Sequence, residues 1–390
     1  MFSPRFIFLS LWGMQIALHM SFSDIFFPFA FTTWIAVITG VLFFSLGVSI
    51  ANYFPGLRYN YPVCLVDGGQ KIQLSNYFGT FLVIYISAGI FAVYSISSML
   101  LGSGLEELTA PAIRQLVIDD FNGDRNLYAY FRILYLGVGF SIFFLAFSKY
   151  LSRTQIIFIF LVGLVSAVAT TGRLYLLLFF VASIALLYRN KVISGRTVFL
   201  SALSFMSIFF IIALVLQKGE ESGSVAGSLV WNAQVYVMSS ASCFNDYVVS
   251  RSQEISGGAL LPNPLRELLG NFIFDIPLKP TLNPFAEVPL PCNTYTILFP
   301  LFHDGSFIGV AVGMLILGAF HQFLYMRYKY SESPIWWYLY GISIYPLVMS
   351  VFEDAYFSSP GFWLLLWVPP ACYLIARRLH LIRVSHLEKI

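Results

Sequence analysis

The chain has 390 residues, 58% of them hydrophobic and only 11% charged, with a net charge of +3 and a mean hydropathy of +0.78. Soluble domains carry roughly a quarter charged residues, so this composition excludes an ordinary soluble enzyme and points to a polytopic α-helical membrane protein. The apolar runs are continuous, unlike the ~10-residue alternating segments of a β-barrel. No basic cluster points to a nucleic-acid partner.

A helical span needs ~20 apolar residues. About ten runs are candidates, near 6–22, 31–53, 77–101, 128–148, 154–171, 174–188, 198–216, 306–326, 335–352 and 361–376. The run after Arg5 lacks a small-residue cleavage site and reads as the first span. Every predicted inner connection carries at least two basic residues, among them Arg58, Lys71, Lys149, Arg153, Arg189, Lys191, Arg327 and Lys329. Basic residues gather on the cytoplasmic side, so both termini are expected there. The expected layout is an N-terminal bundle of about seven spans (1–216), a large extracytoplasmic loop (217–305), and about three further spans with a basic tail (306–390).

The large loop opens on a charged hinge, Lys218–Ser224. The segment Val225–Val249 is part-apolar but interrupted by Ser, Asn and Gln, and reads as an interfacial or re-entrant helix. Arg251–Pro291 is studded with proline and reads as an irregular lid. Thr294–Asp304 leads the chain back to the membrane. Loops of this length are usually functional or disordered, and the aromatic residues here are too many for a disordered tether. Cys243 and Cys292 both fall in this loop, where an oxidising compartment allows a disulfide; two separately buried thiols are the plainer alternative. A second, charged outer loop spans 102–127 and contains Asp119, Asp120 and Asp124.

Four arginines fall on the outer face: Arg132, Arg173, Arg251 and Arg266. A guanidinium at membrane depth is costly and usually faces a cavity or a partner. Its planar fork matches phosphate, so the four are candidates for binding a lipid-linked pyrophosphate. Snorkelling to water, or pairing with the aspartates of loop 102–127, is the plainer reading. Acid–base candidates on the same face are His303 and Asp304, just before the eighth span, and Glu353 and Asp354, just after the ninth. Carboxylates at a low-dielectric boundary are open to raised pKa values, although polar residues also simply end spans. The sequence shows no Walker loop and no HExxH or paired-acid metal motif, so no cofactor and no metal are expected.

Two local stretches resemble the bacterial O-antigen polymerases of the Wzy type. One is Thr170-Thr-Gly-Arg-Leu-Tyr-Leu-Leu177, similar to the small-residue, Gly-Arg opening of a span in that family. The other is Asn293–Gly309, similar to its Tyr-Thr…Asp-x-Gly…Gly pattern, although here Gly305 follows Asp304 directly. The resemblance implies a multi-pass enzyme of the bacterial inner membrane. Its donor and acceptor would be undecaprenyl-pyrophosphate-linked oligosaccharides. An acceptor hydroxyl would attack the donor's anomeric carbon without a metal, and arginines would stabilise the leaving pyrophosphate. It further implies sugar stacking by Tyr236, Tyr247 and Tyr295, and a chain-length regulator as partner alongside membrane lipids. Three other readings remain open: an O-antigen ligase acting on lipid A core, a transporter or flippase of lipid-linked oligosaccharide, and a non-catalytic assembly component.

Overall fold

The computed structural model describes residues 2–53, 85–87, 89–90, 94, 97, 127–170, 173–215, 225–250, 258–270, 276–279, 283, 285–357 and 360–378. They are mostly helical. The helices are α1 (Pro4–Ser21), α2 (Ser23–Phe26), α3 (Phe31–Tyr53), α4 (Leu127–Leu145), α5 (Arg153–Ala169), α6 (Arg173–Arg189), α7 (Gly195–Val215), α8 (Val225–Ser250), α9 (Asn263–Gly270), α10 (Leu298–Tyr330), α11 (Pro334–Met349) and α12 (Pro360–Arg378). A two-stranded antiparallel hairpin, β1 (Ala286–Glu287) and β2 (Pro291–Cys292), pairs Ala286 with Cys292 and turns through a cis Val288–Pro289 bond. Among the described residues, two helices are long and apolar enough to cross a membrane, Phe31–Tyr53 and Leu298–Tyr330. Shorter apolar helices occur at Ile133–Leu145, Arg153–Ala169, Leu174–Arg189 and Pro360–Ile375. Most of the expected spans coincide with a helix to within a few residues; the run 77–101 and the outer loop 102–127 lie largely outside the described residues.

The chain divides into two compact units. The first holds Met1–Asn60, Ala213–Ser331 and Ser343–Pro360; the second holds Tyr61–Ile212, Glu332–Ile342 and Gly361–Ile390. This division has a boundary near the expected 216, while the expected 305 lies inside the first unit. Its reason is that residues distant in sequence, such as α3 and α10, share the tightest packing.

The first unit is built on the seam between α3 and α10. Its buried positions on α3 are Thr33, Ala36, Val37, Gly40, Phe44, Gly47, Val48 and Ala51, which recur every three or four residues and mark one helix face. Gly47 lies against the backbone at Leu315, and Gly318 lies against the backbone at Phe44. The two notches therefore interlock, and small residues here let the helix backbones approach closely. Phe8 of α1 stacks on Phe44, with ring centroids 4.0 Å apart.

α10 is not one straight helix. Ser306 has φ 51° and ψ −143°, and the chain reverses there. The turn preceding it folds back on the shaft that follows: the Leu301 carbonyl presses on Gly309 and the Leu301 side chain on Gly313. In a continuous helix, positions eight apart lie ~12 Å apart along the axis and cannot touch. Leu298 to Gly305 is thus a short helix tucked against the shaft, buried over Leu298–Phe302, and about 24 residues, still enough for a span, remain from Phe307 to Tyr330. The expected span beginning at 306 matches that shaft.

α8 forms one 26-residue helix that matches the expected segment Val225–Val249 to within one residue, and its second half is buried. Asn245 holds it to the turn before α3. Its Oδ1 accepts from Ala30 N at 2.9 Å and Thr33 Oγ1 at 2.7 Å, and its Nδ2 donates to Pro28 O at 3.2 Å.

In the second unit, α5 begins with a capping box. Ser152 Oγ accepts from Gln155 N, and Gln155 Oε1 accepts from Ser152 N at 2.9 Å. Gly163 of α5 receives the Phe179 ring of α6. Arg189 at the end of α6 lies over the Trp337 ring, 4.9 Å from its centre, and shares Glu332 with Lys149.

Candidate functional site

The first unit gathers several of the expected site residues around the turn at Ser306. His303 and Asp304 sit on the last turn of the short helix, with side chains 9% and 22% exposed. His303 Nδ1 bonds Asp304 Oδ1 at 2.7 Å. A carboxylate on one ring nitrogen orients an imidazole and makes the other nitrogen the basic one. Asp304 also accepts from the backbone N–H groups of Ala259 at 2.5 Å and Leu260 at 2.9 Å. The preceding residue, Gly258, has φ +87°, and a Cβ there would stand 2.9 Å from Asp304 Oδ2. Glycine is required both for the left-handed backbone and for the space that the carboxylate fills. Asp304 therefore has a structural task, fastening the lid to the helical turn, as well as its contact with His303.

Arg266 lies in α9 and is fully buried. Its Nε donates to Leu261 O at 2.8 Å, and Nη1 donates to Pro277 O at 2.7 Å. Nη2 bonds the Gly258 carbonyl. These bonds tie three points of the lid to one side chain. An arginine engaged in this way adds positive charge at the site from behind the backbone and is not laid open for direct phosphate binding.

Lys279, which the sequence did not single out, joins the cluster. Asn263 fixes it by accepting from Lys279 N at 2.9 Å and donating to Lys279 O at 3.0 Å. Its Nζ donates to Ala259 O at 3.2 Å. Burial pushes the ammonium below the ordinary lysine value. The Asp354 carboxylate opposes that, the Arg266 charge adds to it, and Asp304 opposes it more weakly. Three charged groups, from the lid, the α10 turn and the segment after α11, thus act on Lys279. The only signal for Lys279 in the sequence was a lone cation between Pro277 and Pro280.

Glu353 and Asp354 follow α11. Asp354 Oδ1 accepts from Tyr356 N at 2.8 Å and Phe357 N at 3.0 Å, which shapes the turn. Burial, reinforced by the Asp354 charge, raises the Glu353 carboxyl from 4.5 to about 7. Ile297 N donates to Ser350 O at 3.0 Å, and Trp12 Nε1 donates to Ser350 Oγ at 3.2 Å. These bonds hold the start of the α10 turn beside the end of α11.

The tyrosines behave differently from the expectation. Tyr247 and Tyr295 are only 7% and 2% exposed. Tyr247 stacks on His303 at 5.9 Å and meets Phe299 edge-on at 4.8 Å, while Tyr295 stacks on Phe299 at 4.3 Å. Their rings support the His303 helix from beneath and present no open face to a sugar. Burial, with the Asp246 charge adding to it, pushes the Tyr295 hydroxyl up to about 12. Tyr236 lies in α8, Arg132 in α4 and Arg173 at the first position of α6, but their side chains lie outside the described residues, as does Arg251 altogether. Arg132 and Arg173 belong to the second unit.

Cys243 in α8 and Cys292 in β2 are joined by a disulfide, with Cα atoms 6.5 Å apart. This is the pairing that the sequence allowed, and it anchors the β-hairpin to the buried half of α8. Among the described residues no group of three His, Cys, Asp or Glu side chains could hold a metal ion. Compared with protein-family models, curated proteins and solved structures, the chain matches none.

Proposed function

We propose that this chain is a glycosyltransferase of the bacterial inner membrane, with about ten spans and both termini in the cytoplasm. It would polymerise undecaprenyl-pyrophosphate-linked oligosaccharide repeat units at the extracytoplasmic face. The observation that carries this reading is the His303–Asp304 pair at the reversal in α10, set beside the cations Arg266 and Lys279 and the carboxyl pair Glu353 and Asp354. The apolar composition supports a membrane setting, as do the large side chains laid bare on the helix shafts, such as Phe31 at 79% and Ile308 at 77% exposed. The Cys243–Cys292 bond supports an oxidising compartment for this end of the unit.

In this reading the acceptor hydroxyl gives its proton to His303 Nε2 as its oxygen bonds the anomeric carbon. The bond from that carbon to the lipid pyrophosphate breaks, and the pyrophosphate leaves with the electron pair. Lys279 and Arg266 supply a fixed positive field for the departing charge. Glu353, with a pKa near neutrality, is the second candidate for moving the proton. The lid fastened by Asp304 keeps water from the donor, so transfer prevails over hydrolysis.

The test is incubation of the purified protein with a lipid-linked repeat unit and no other acceptor. A ladder of lengthening products is expected, and it should be lost in His303→Ala. Transfer only after addition of lipid A core would make the protein a ligase. Absence of any new glycosidic bond under both conditions would remove the enzymatic reading.

A further inference from the structure

At the far end of α10, ~36 Å of helix from the reversal at Ser306, the first unit carries a second site. It is a notch of about 270 Å³ formed where the N-terminus of α1 meets the C-terminal ends of α3 and α10. Arg5 and Lys329 flank it, with Asn52, Gln322, Tyr325 and Tyr330 among its lining. No carboxylate lines it among the described residues.

The side chains are held in place. Arg5 Nη2 donates to Ser45 O at 2.8 Å and bonds Ser49 Oγ, and Gln322 Nε2 donates to Asn52 Oδ1 at 2.6 Å. Arg5 Nε is buried with no hydrogen-bond partner. An unanswered donor on a charged group is costly, and an anion in the notch would answer it. Lys329 Nζ sits over the Tyr330 ring, 5.0 Å from its centre, and both residues line the notch. Ser3 caps α1 without a side-chain bond, so the positive end of that helix adds to the field. The volume falls just below the ~300–1,000 Å³ of sites for drug-sized ligands, the size of a headgroup and not of a whole lipid. Apolar side chains exposed along the two helix shafts, such as Leu42, Leu46 and Ile50 on α3 and Ile316 and Phe320 on α10, offer a surface for acyl chains.

We propose that this notch binds the phosphodiester headgroup of an anionic phospholipid at the basic, cytoplasmic side of the membrane. The proposal needs a membrane setting but no catalytic activity, so it stands or falls apart from the glycosyltransfer reading.

The experiment places the full chain in nanodiscs of phosphatidylcholine containing phosphatidylglycerol. Native mass spectrometry then counts the phosphatidylglycerol retained after release. Retention is expected in the wild type and about fivefold weaker in Lys329→Gln and in Arg5→Gln, the effect of one basic residue at an anionic surface. Lys329→Gln gives up the contact with the Tyr330 ring and leaves the bonds of Arg5 and Gln322 in place, so it keeps the test readable if Arg5→Gln loosens α1. Arg153→Gln, which removes an exposed charge in the second unit, is expected to leave retention unchanged. Wild-type retention in both notch variants would overturn the proposal, as would an equal loss in Arg153→Gln. Inorganic phosphate at millimolar concentration separates the sources. Failure to displace the lipid supports a lipid headgroup, and full displacement with equal binding of phosphate in phosphatidylcholine-only discs overturns it in favour of a soluble phosphate.

Discussion

Asp304 answers to two demands at once. It accepts two lid N–H groups and orients His303. Removing a partner from a buried or half-buried donor costs ~1–3 kcal/mol, so Asp304→Ala should lower stability by a few kcal/mol as well as activity. Asp304→Asn keeps one of the two lid acceptors and loses the charge, so it should lose activity with a smaller fall in melting temperature. Equal unfolding in both variants would show that the charge matters only to the fold. Gly258→Ala tests the same joint from the other side. A left-handed φ and the nearby carboxylate together should cost ~1–3 kcal/mol, measured by thermal unfolding. Glu353 gives a pH prediction. Its folded pKa of about 7 lies above its ordinary 4.5, so the folded state holds a proton that the unfolded chain has lost. Stability therefore falls as pH rises from about 4.5 to 7, by at most ~3 kcal/mol before allowance for solvent. Glu353→Gln should flatten that slope in denaturation curves, and an unchanged slope would remove the assignment. At this scale the sequence exposed the chemistry-bearing residues and hid their tasks. His303, Asp304, Glu353 and Asp354 were visible as polar groups at the ends of apolar runs. Arg266 was visible as a cation, but nothing in its neighbours foretold three carbonyl partners, because those come from lid residues up to 11 positions away. Lys279 was hidden for the same reason, and Tyr247 and Tyr295 looked like sugar platforms because a sequence does not distinguish a buried ring from an open one.

The decisive element is the reversal in α10. Hydropathy located the shaft but not the short helix folded against it, because Leu298–Phe302 is as apolar as the span it precedes. The cue was present in Gly305, Gly309 and Gly313, and only Gly309 and Gly313 turn out to receive Leu301. Ser306 adopts a positive φ that glycine tolerates and other residues rarely do. This leads to a prediction whose sign depends on the fold. In a continuous helix, Ser306→Gly would destabilise by roughly 0.5 kcal/mol, from helix propensity. At a reversal it should instead stabilise by ~1 kcal/mol or more, by relieving strain. Thermal unfolding of the single variant decides between the two. The seam between α3 and α10 was likewise legible only in part. Its three-and-four spacing can be read from the sequence, but the interlock of Gly47 with Gly318 depends on the register of two helices more than 250 residues apart.

At the scale of the whole molecule, the disulfide supports the proposed placement of the candidate site on the extracytoplasmic side of a membrane. Cys243 and Cys292 are 49 residues apart, and closing a loop of that length restricts the unfolded chain by about 4 kcal/mol in the chain-entropy view. The bond spans the whole lid, including α9 and Lys279, so its loss should free the segment that carries Arg266 and Lys279 away from Asp304. A bond of this kind persists in an oxidising compartment and is rare in the cytoplasm. The charge pattern of the short connections led to the same side for the loop by an independent route. The two arguments can fail separately, so a direct measurement is worth more than either. With Cys64 and Cys372 replaced by serine, only this pair remains of the four cysteines. Protein from native membranes, denatured without reductant, should take up no maleimide, and two equivalents after reduction. Two equivalents without reduction would mean that the pair is not oxidised in the cell, and the lid, with its cations and its His–Asp pair, would lose the support that sets it outside. In the oxidised case, Cys292→Ser should lower the melting temperature and weaken polymer formation together, because the same cross-link that stabilises the fold keeps Lys279 within range of Asp304 and Asp354.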